Sequence, residues 1–439
     1  MADAAPDAPA TRDAGHRPVS RGSMAVAALS TIVEWYDFTL YLYLSTVLSR
    51  VFFGGGESSL IATLGGFAVA YLMRPLGALF FGHLGDRGGR RRMMLLSVAV
   101  MTAAMLAMAL MPTHAQIGSA AGVAIILLRC VMGFAVGGEY TGVVAYLLEG
   151  APRGRRGLVT SLAAAAAEVG ALLAVAVSAL TVNLLDAQSL DAWGWRIPFF
   201  VGAALAGTVW IARARMQESP EFERQRREGS IPASPLRHAL RFHRAGIARG
   251  FAISALGSIT YYVGITYVPA FLTSVGTFSE GVSLGLSTWA AVAVILVTPL
   301  FGLVSDHAGR RAVLVALALC SALLPITLFA MMARGSADTA LAGALLLACV
   351  AGGVSAVGAV ATAEQFPGEG RLSGLAFGAT TATALFGGLT PFLAQVLVER
   401  TGWALAPGAM IAVVGVAVLP VLLRLPETAP RRTRWERRR

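Results

Sequence analysis

The chain has 439 residues, 56% of them hydrophobic and only 13% charged, with a mean hydropathy of +0.68. A water-soluble domain carries about 25% charged residues, so this composition excludes a soluble globular protein and points to a chain that crosses the membrane many times. Every basic residue is arginine; without lysine there is no P-loop to grip nucleotide phosphates, and the net charge of +11 is expected on membrane-flanking loops rather than on a nucleic-acid surface.

Residues 1–23 are rich in Ala, Pro, Asp and Arg and read as a disordered tail. The apolar run that follows is too long, and too interrupted by polar groups, for a cleavable signal. Twelve runs long enough to span a bilayer follow: 24–50, 59–82, 93–112, 117–148, 158–184, 195–212, 247–275, 282–304, 312–333, 339–365, 372–398 and 403–423, numbered here as spans 1 to 12. The expected fold is all-α: 24–212 forms one six-helix bundle, 213–246 a charged central loop, 247–424 a second bundle, and 425–439 a basic tail.

Span 1 carries Glu34, Asp37 and Tyr41 at i, i+3 and i+7, one stripe of a helix near mid-depth. Span 2 carries Arg74 before Pro75, and ends in Gly82-His-Leu-Gly-Asp86-Arg-Gly-Gly-Arg90-Arg91-Arg92. Span 4 holds Arg129 and Glu139, with Gly133, Gly137 and Tyr140 on the face of Arg129. Glu168 lies mid-span in the alanine-rich span 5. A charge at the centre of a span costs a few kcal/mol, which marks each of these as functional by default.

The second half repeats the loops but not the charges. Gly82, Asp86, Arg90 and Arg91 recur 220 residues on as Gly302, Asp306, Arg310 and Arg311, and Glu149, Pro152 and Arg156 recur 215 residues on as Glu364, Pro367 and Arg371. Two loop signatures repeating at half the chain length imply two homologous halves. Span 7 is crowded with hydroxyls, among them Tyr262 and Tyr267. With both termini on the cytoplasmic side, 29 of the 35 arginines fall there, as the positive-inside rule requires. The three cysteines are scattered through apolar runs, and the six histidines lie in tails, loops or span ends, so neither a metal site nor a catalytic cluster is expected.

Four buried carboxyls, Glu34, Asp37, Glu139 and Glu168, face two guanidinium groups. Full ionisation would leave two uncompensated negative charges, so these acids are assigned to proton handling. Arg129, a planar fork that matches a carboxylate, is assigned to an anionic substrate, with Tyr41, Tyr140, Tyr262 and Tyr267 as further binding groups. Arg74 is read as a structural partner for Glu139 or a neighbouring carbonyl.

The repeated G-x-x-x-D-x-x-G-R-R loops resemble those of the major facilitator superfamily. Glu34-Trp35-Tyr36-Asp37-Phe38, Met73-Arg74-Pro75-Leu76-Gly77, Gly137-Gly138-Glu139, Gly194-Trp195-Arg196-Ile197-Pro198-Phe199, Glu218-Ser219-Pro220 and Phe386-Gly387-Gly388 resemble, in order along the chain, its metabolite:proton symporter branch. The resemblance implies alternating access around a central cavity. It also implies a cytoplasmic gate built on Asp86, Arg90, Arg91, Asp306, Arg310 and Arg311, protons as the coupling ion and no other cofactor. Relatives take up citrate, 2-oxoglutarate, shikimate, proline or betaine. The leading expectation is a proton-coupled importer of a di- or tricarboxylate, monomeric in the bacterial inner membrane. A zwitterion such as proline or betaine is the alternative, disfavoured because the tail lacks the heptads of osmosensing relatives and kept open by Trp35 and the tyrosines. An exporter of the same fold is a third reading.

Overall fold

The structure is a computed structural model that describes residues 19–55, 57–276 and 278–429. Among the described residues, eight helices are long and apolar enough to cross a membrane: Arg90–Leu110, Ala120–Gly150, Arg153–Leu184, Arg196–Ala214, Val282–Ala308, Ala337–Ala363, Arg371–Thr401 and Ala406–Leu423. Two bent pairs, Arg244–Thr266 with Val268–Ser274 and Arg310–Leu323 with Pro325–Arg334, turn by 43° and 44° and bring the number to ten. The helical run 21–53, in three pieces, and the helix Glu57–Gly88 occupy the positions of spans 1 and 2. Prolines at the break points, Pro269 and Pro325, explain both bends, since each removes an N–H from the helical ladder.

The central loop is not structureless. It holds the helices Pro220–Glu228 and Pro235–Phe242, each with proline in its first turn where the missing N–H costs nothing. Of the expected N-terminal tail, residues 1–18 lie outside the described residues, whereas Val19 is buried and a helix begins at Arg21. Of the expected C-terminal tail, 430–439 lie outside the described residues, while Leu425 is buried and Glu427 accepts hydrogen bonds.

The repeated loop motif has a backbone reason. Gly89 and Gly309 have φ of +99° and +100°, a region that a side chain disfavours, and each ends one helix and starts the next. The other repeated glycines let the halves meet. A Cβ on Gly82 would stand 3.0 Å from the Leu372 carbonyl oxygen, and one on Gly302 would stand 2.6 Å from that of Gly157. Span 2 therefore touches span 11, and span 8 touches span 5, at the arginine-rich end of the bundle. Inside the first half, Gly133 and Gly137 press against the backbones of Ala70 and Arg74, the close small-residue packing common between membrane helices.

Candidate functional site: a closed gate and a central cavity

At the arginine-rich end the halves are clasped by two matching caps. Asp86 accepts hydrogen bonds from the backbone N–H groups of Leu372 (3.2 Å) and Ser373 (2.8 Å), at the start of span 11. Asp306 accepts from Gly157 and Leu158, both 2.9 Å, at the start of span 5. A carboxylate on free N–H groups at a helix start is favoured by hydrogen bonding and by the helix dipole together. Arg371 donates to Glu149 across the halves at 2.6 Å, and Arg90 joins the same carboxylate at 3.1 Å while donating to the Gly368 carbonyl. Arg310 bonds Asp306 at 2.8 Å and Glu364 at 3.2 Å. The side chain of Arg91 reaches the Ala214 carbonyl within its own half, and Arg311 contributes its backbone N–H to Glu427. This end is shut.

A third echo, absent from the sequence reading, completes this closed end. Glu218 accepts from the N–H groups of Arg90 and Arg91, and Glu427, 209 residues later, accepts from those of Arg310 and Arg311. Their neighbours Ser219 and Thr428 donate to Glu149 and Glu364. Burial pushes the Glu218 carboxyl above its ordinary range, opposed by the N–H groups of Ser219 and Arg91. The signal was a short Glu-Ser-Pro against Glu-Thr-Ala-Pro match lying at the edges of the expected halves.

The mid-membrane charges form pairs that sequence spacing did not assign. Asp37 and Arg129 meet at 2.7 Å, with the guanidinium 4.5 Å from the Tyr41 ring. Arg74 lies 3.7 Å from Glu34 and over the rings of Tyr71 and Phe38; it does not pair with Glu139. That acid is bonded by Arg213 and Ser97, and Arg213 also bonds Ser30 and the Met94 carbonyl. Sequence reading put Arg213 in the central loop, but the helix Arg196–Ala214 carries it inward and buries it completely.

Between the halves lies a cavity of about 190 Å³, against the roughly 10–15 Å³ that one water needs. Its wall includes Glu34, Trp35, Arg74, Tyr140, Glu168 and Tyr261. On the side away from the gate, the hydroxyls of Tyr71 and Tyr262 meet at 2.7 Å across the halves. Their rings rest on Gly388 and Gly387, where a Cβ would meet them at 2.6 and 2.8 Å. Wide π-type turns at Tyr262–Thr266 and Ala384–Gly388 produce this local geometry, as such turns often do at functional positions. Glu34 Oε2 and Trp35 Nε1, on two residues of the wall, are buried and have no hydrogen-bond partner.

Among the expected substrate groups, Tyr140 and Tyr262 are on this wall. Arg129 is not; it shares a pocket of about 10 Å³ with Asp37. Tyr41 donates to the Thr63 carbonyl and Tyr267 to Gln395, away from the cavity. Glu168 is on the wall and accepts from Tyr261 rather than facing Arg129.

Comparison with known proteins agrees with this architecture. Residues 23–235 match the family described as Sugar (and other) transporter, and residues 278–438 match the Major Facilitator Superfamily. The proline/betaine transporter of Salmonella typhimurium is 31% identical over 422 residues, covering 94% of this chain and 84% of the relative. The alpha-ketoglutarate permease of Escherichia coli is 32% identical over 373 residues, covering 84% and 85%. The proton:xylose symporter XylE bound to 6-bromo-6-deoxy-D-glucose superposes with a TM-score of 0.80 at 19% identity, covering 93% of this chain and 96% of the other. With both halves matched and nearly the whole length covered by its relatives, the chain belongs to the major facilitator superfamily of membrane transporters.

Proposed function

We propose that the protein is a proton-coupled importer of a small zwitterion of the proline or betaine kind. The observation that carries this reading is the charge on the cavity wall. Glu34, Glu168 and Arg74 are its ionisable acidic and basic groups, and with both acids ionised the wall holds one net negative charge. A dicarboxylate would add two more in a low-dielectric space, whereas a zwitterion adds none and offers a partner to each sign. Arg129, on which the organic-acid expectation rested, is occupied by Asp37 and lies off the wall. Trp35, Tyr140, Tyr261 and Tyr262 supply aromatic faces suited to an ammonium group. A proline/betaine transporter that matches 94% of the chain supports the same reading.

Proton coupling is assigned to Asp37 and Arg129. Protonation of Asp37 would dissolve a buried pair that holds span 1 to span 4, and Asp37 Oδ1 is buried without a partner. The arginine-rich end faces the cytoplasm of a bacterial inner membrane in this reading, so import ends with opening of the Asp86 and Asp306 caps. The organic-acid reading keeps one observation, the presence of Arg74 on the wall, and several relatives, among them the alpha-ketoglutarate permease and citrate-proton symporters.

The test is uptake into proteoliposomes under an imposed pH gradient, with radiolabelled proline, glycine betaine, 2-oxoglutarate and citrate compared side by side. Gradient-driven accumulation of a zwitterion is expected. Accumulation of 2-oxoglutarate or citrate alone would overturn the assignment.

A further inference from the structure

Glu168 is a carboxylate without a cation. It is 3% exposed, lies mid-helix in Arg156–Leu184, and its hydrogen bond comes from the hydroxyl of Tyr261 in the opposite half. The other buried acids on and behind the wall have guanidinium partners: Glu34 has Arg74, Asp37 has Arg129 and Glu139 has Arg213. No ion pair found among the described residues includes Glu168. A buried acid in that position is costly unless something positive reaches it.

The surroundings leave room for that group. Glu168 follows a run of five alanines, Ala163 to Ala167, of which Ala164 and Ala167 line the cavity, and Gly257 lines it from the other half. These small side chains fill little of the space in front of the carboxylate. Tyr261 closes one flank, with Trp35 packed edge-on against its ring at 5.2 Å. Arg74 is the guanidinium on the wall, 3.7 Å from Glu34.

We propose that Glu168 and Tyr261 form the ammonium-binding pole of the cavity and that Arg74 forms its carboxylate-binding pole. The proposal rests on the zwitterion reading and deepens it by fixing the substrate's orientation. The cationic nitrogen lies against Glu168, flanked by the rings of Tyr261 and Trp35, and the carboxylate points toward span 2. Because Glu168 is in the first half and Tyr261 in the second, the nitrogen is held by both bundles at once. Glu168 is thus a substrate-recognition residue, which differs from the proton-handling role its charge first suggested.

Calorimetric titration of the purified full-length protein with proline, pyrrolidine (the cation alone) and cyclopentanecarboxylate (the anion alone) separates the poles. The informative variant is Glu168→Gln, whose amide oxygen can still accept from Tyr261 and so keeps the cross-half bond. Proline affinity should fall about 10- to 100-fold, the weight of a lost charge-assisted contact, pyrrolidine binding should vanish, and cyclopentanecarboxylate binding should hold. Unchanged proline and pyrrolidine affinity in Glu168→Gln would overturn the poles while leaving the zwitterion reading standing. Wild-type protein that binds 2-oxoglutarate but neither proline nor pyrrolidine would overturn both. A variant-free measurement covers poor folding: in the wild type, pyrrolidine should still bind protein saturated with cyclopentanecarboxylate and should not bind protein saturated with proline. Mutual exclusion of the two fragments, or pyrrolidine binding that proline leaves unchanged, refutes the assignment.

Discussion

Neutralising Asp86 should tilt the transporter toward opening at its arginine-rich end. In the closed arrangement Asp86 accepts two backbone N–H groups of the other half, at 3.2 and 2.8 Å, and lies 3.5 Å from Arg90. Those two bonds cross between the halves, so they exist only while that end is shut. Asp86→Asn keeps the shape and one acceptor but removes the charge. Arg90 retains Glu149 at 3.1 Å, so no guanidinium is stranded. A hydrogen bond to a charged group is worth about 1.5–3 kcal/mol, and the helix start adds up to about 2. With one neutral bond kept, the closed state should lose about 2–4 kcal/mol, a shift of about 30- to 1000-fold in the closed-to-open ratio. The assay is a spin-label distance across that end, between Arg87→Cys and His307→Cys, both exposed, with Cys130, Cys320 and Cys349 replaced by alanine. Wild-type protein should give mainly the short distance, and Asp86→Asn a substantial long one. Identical distributions would refute the reasoning, because they would mean that the cap carries no state-dependent energy.

Three further outcomes follow from the packing and the charge pairs. Gly137→Ala drives a methyl into the Arg74 carbonyl and to 2.7 Å from the Ala78 nitrogen; it should cost about 1–3 kcal/mol, read as a lower melting temperature in detergent. Glu139→Gln leaves Arg213 buried without its counter-charge, at a cost of about 3–5 kcal/mol, whereas adding Arg213→Met should recover much of the folded yield in size-exclusion chromatography. Asp37→Asn should abolish accumulation driven by a pH gradient yet keep substrate exchange between the two sides of a vesicle; retained accumulation would move proton coupling elsewhere.

The main features of the fold were legible because they rest on local rules. A run of about 20 apolar residues must be helical in a bilayer, since no water is there to satisfy the backbone. Gly89 and Gly309 could be read as turn residues because a positive φ strongly favours glycine. The repeats at 220 and 215 residues announced two halves before any contact was known.

The binding site was legible only in part. Glu34, Asp37 and Tyr41 share a stripe, but seven residues climb about 10 Å along a helix, so the stripe leaves the cavity as it rises. Glu34 lines the wall, Asp37 sits in the smaller pocket and Tyr41 bonds Thr63. Sequence alone thus determined the membrane class, the paired halves, the repeated loop acids Asp86 and Asp306, and the set of acids buried in the first half. Tertiary structure decided which guanidinium meets which acid: Arg129 with Asp37, Arg74 with Glu34 and Arg213 with Glu139. Helix periodicity fixes which residues share a face, whereas the rotation and depth at which that face meets its neighbour are set by packing between helices distant in the chain, such as Gly137 against Arg74.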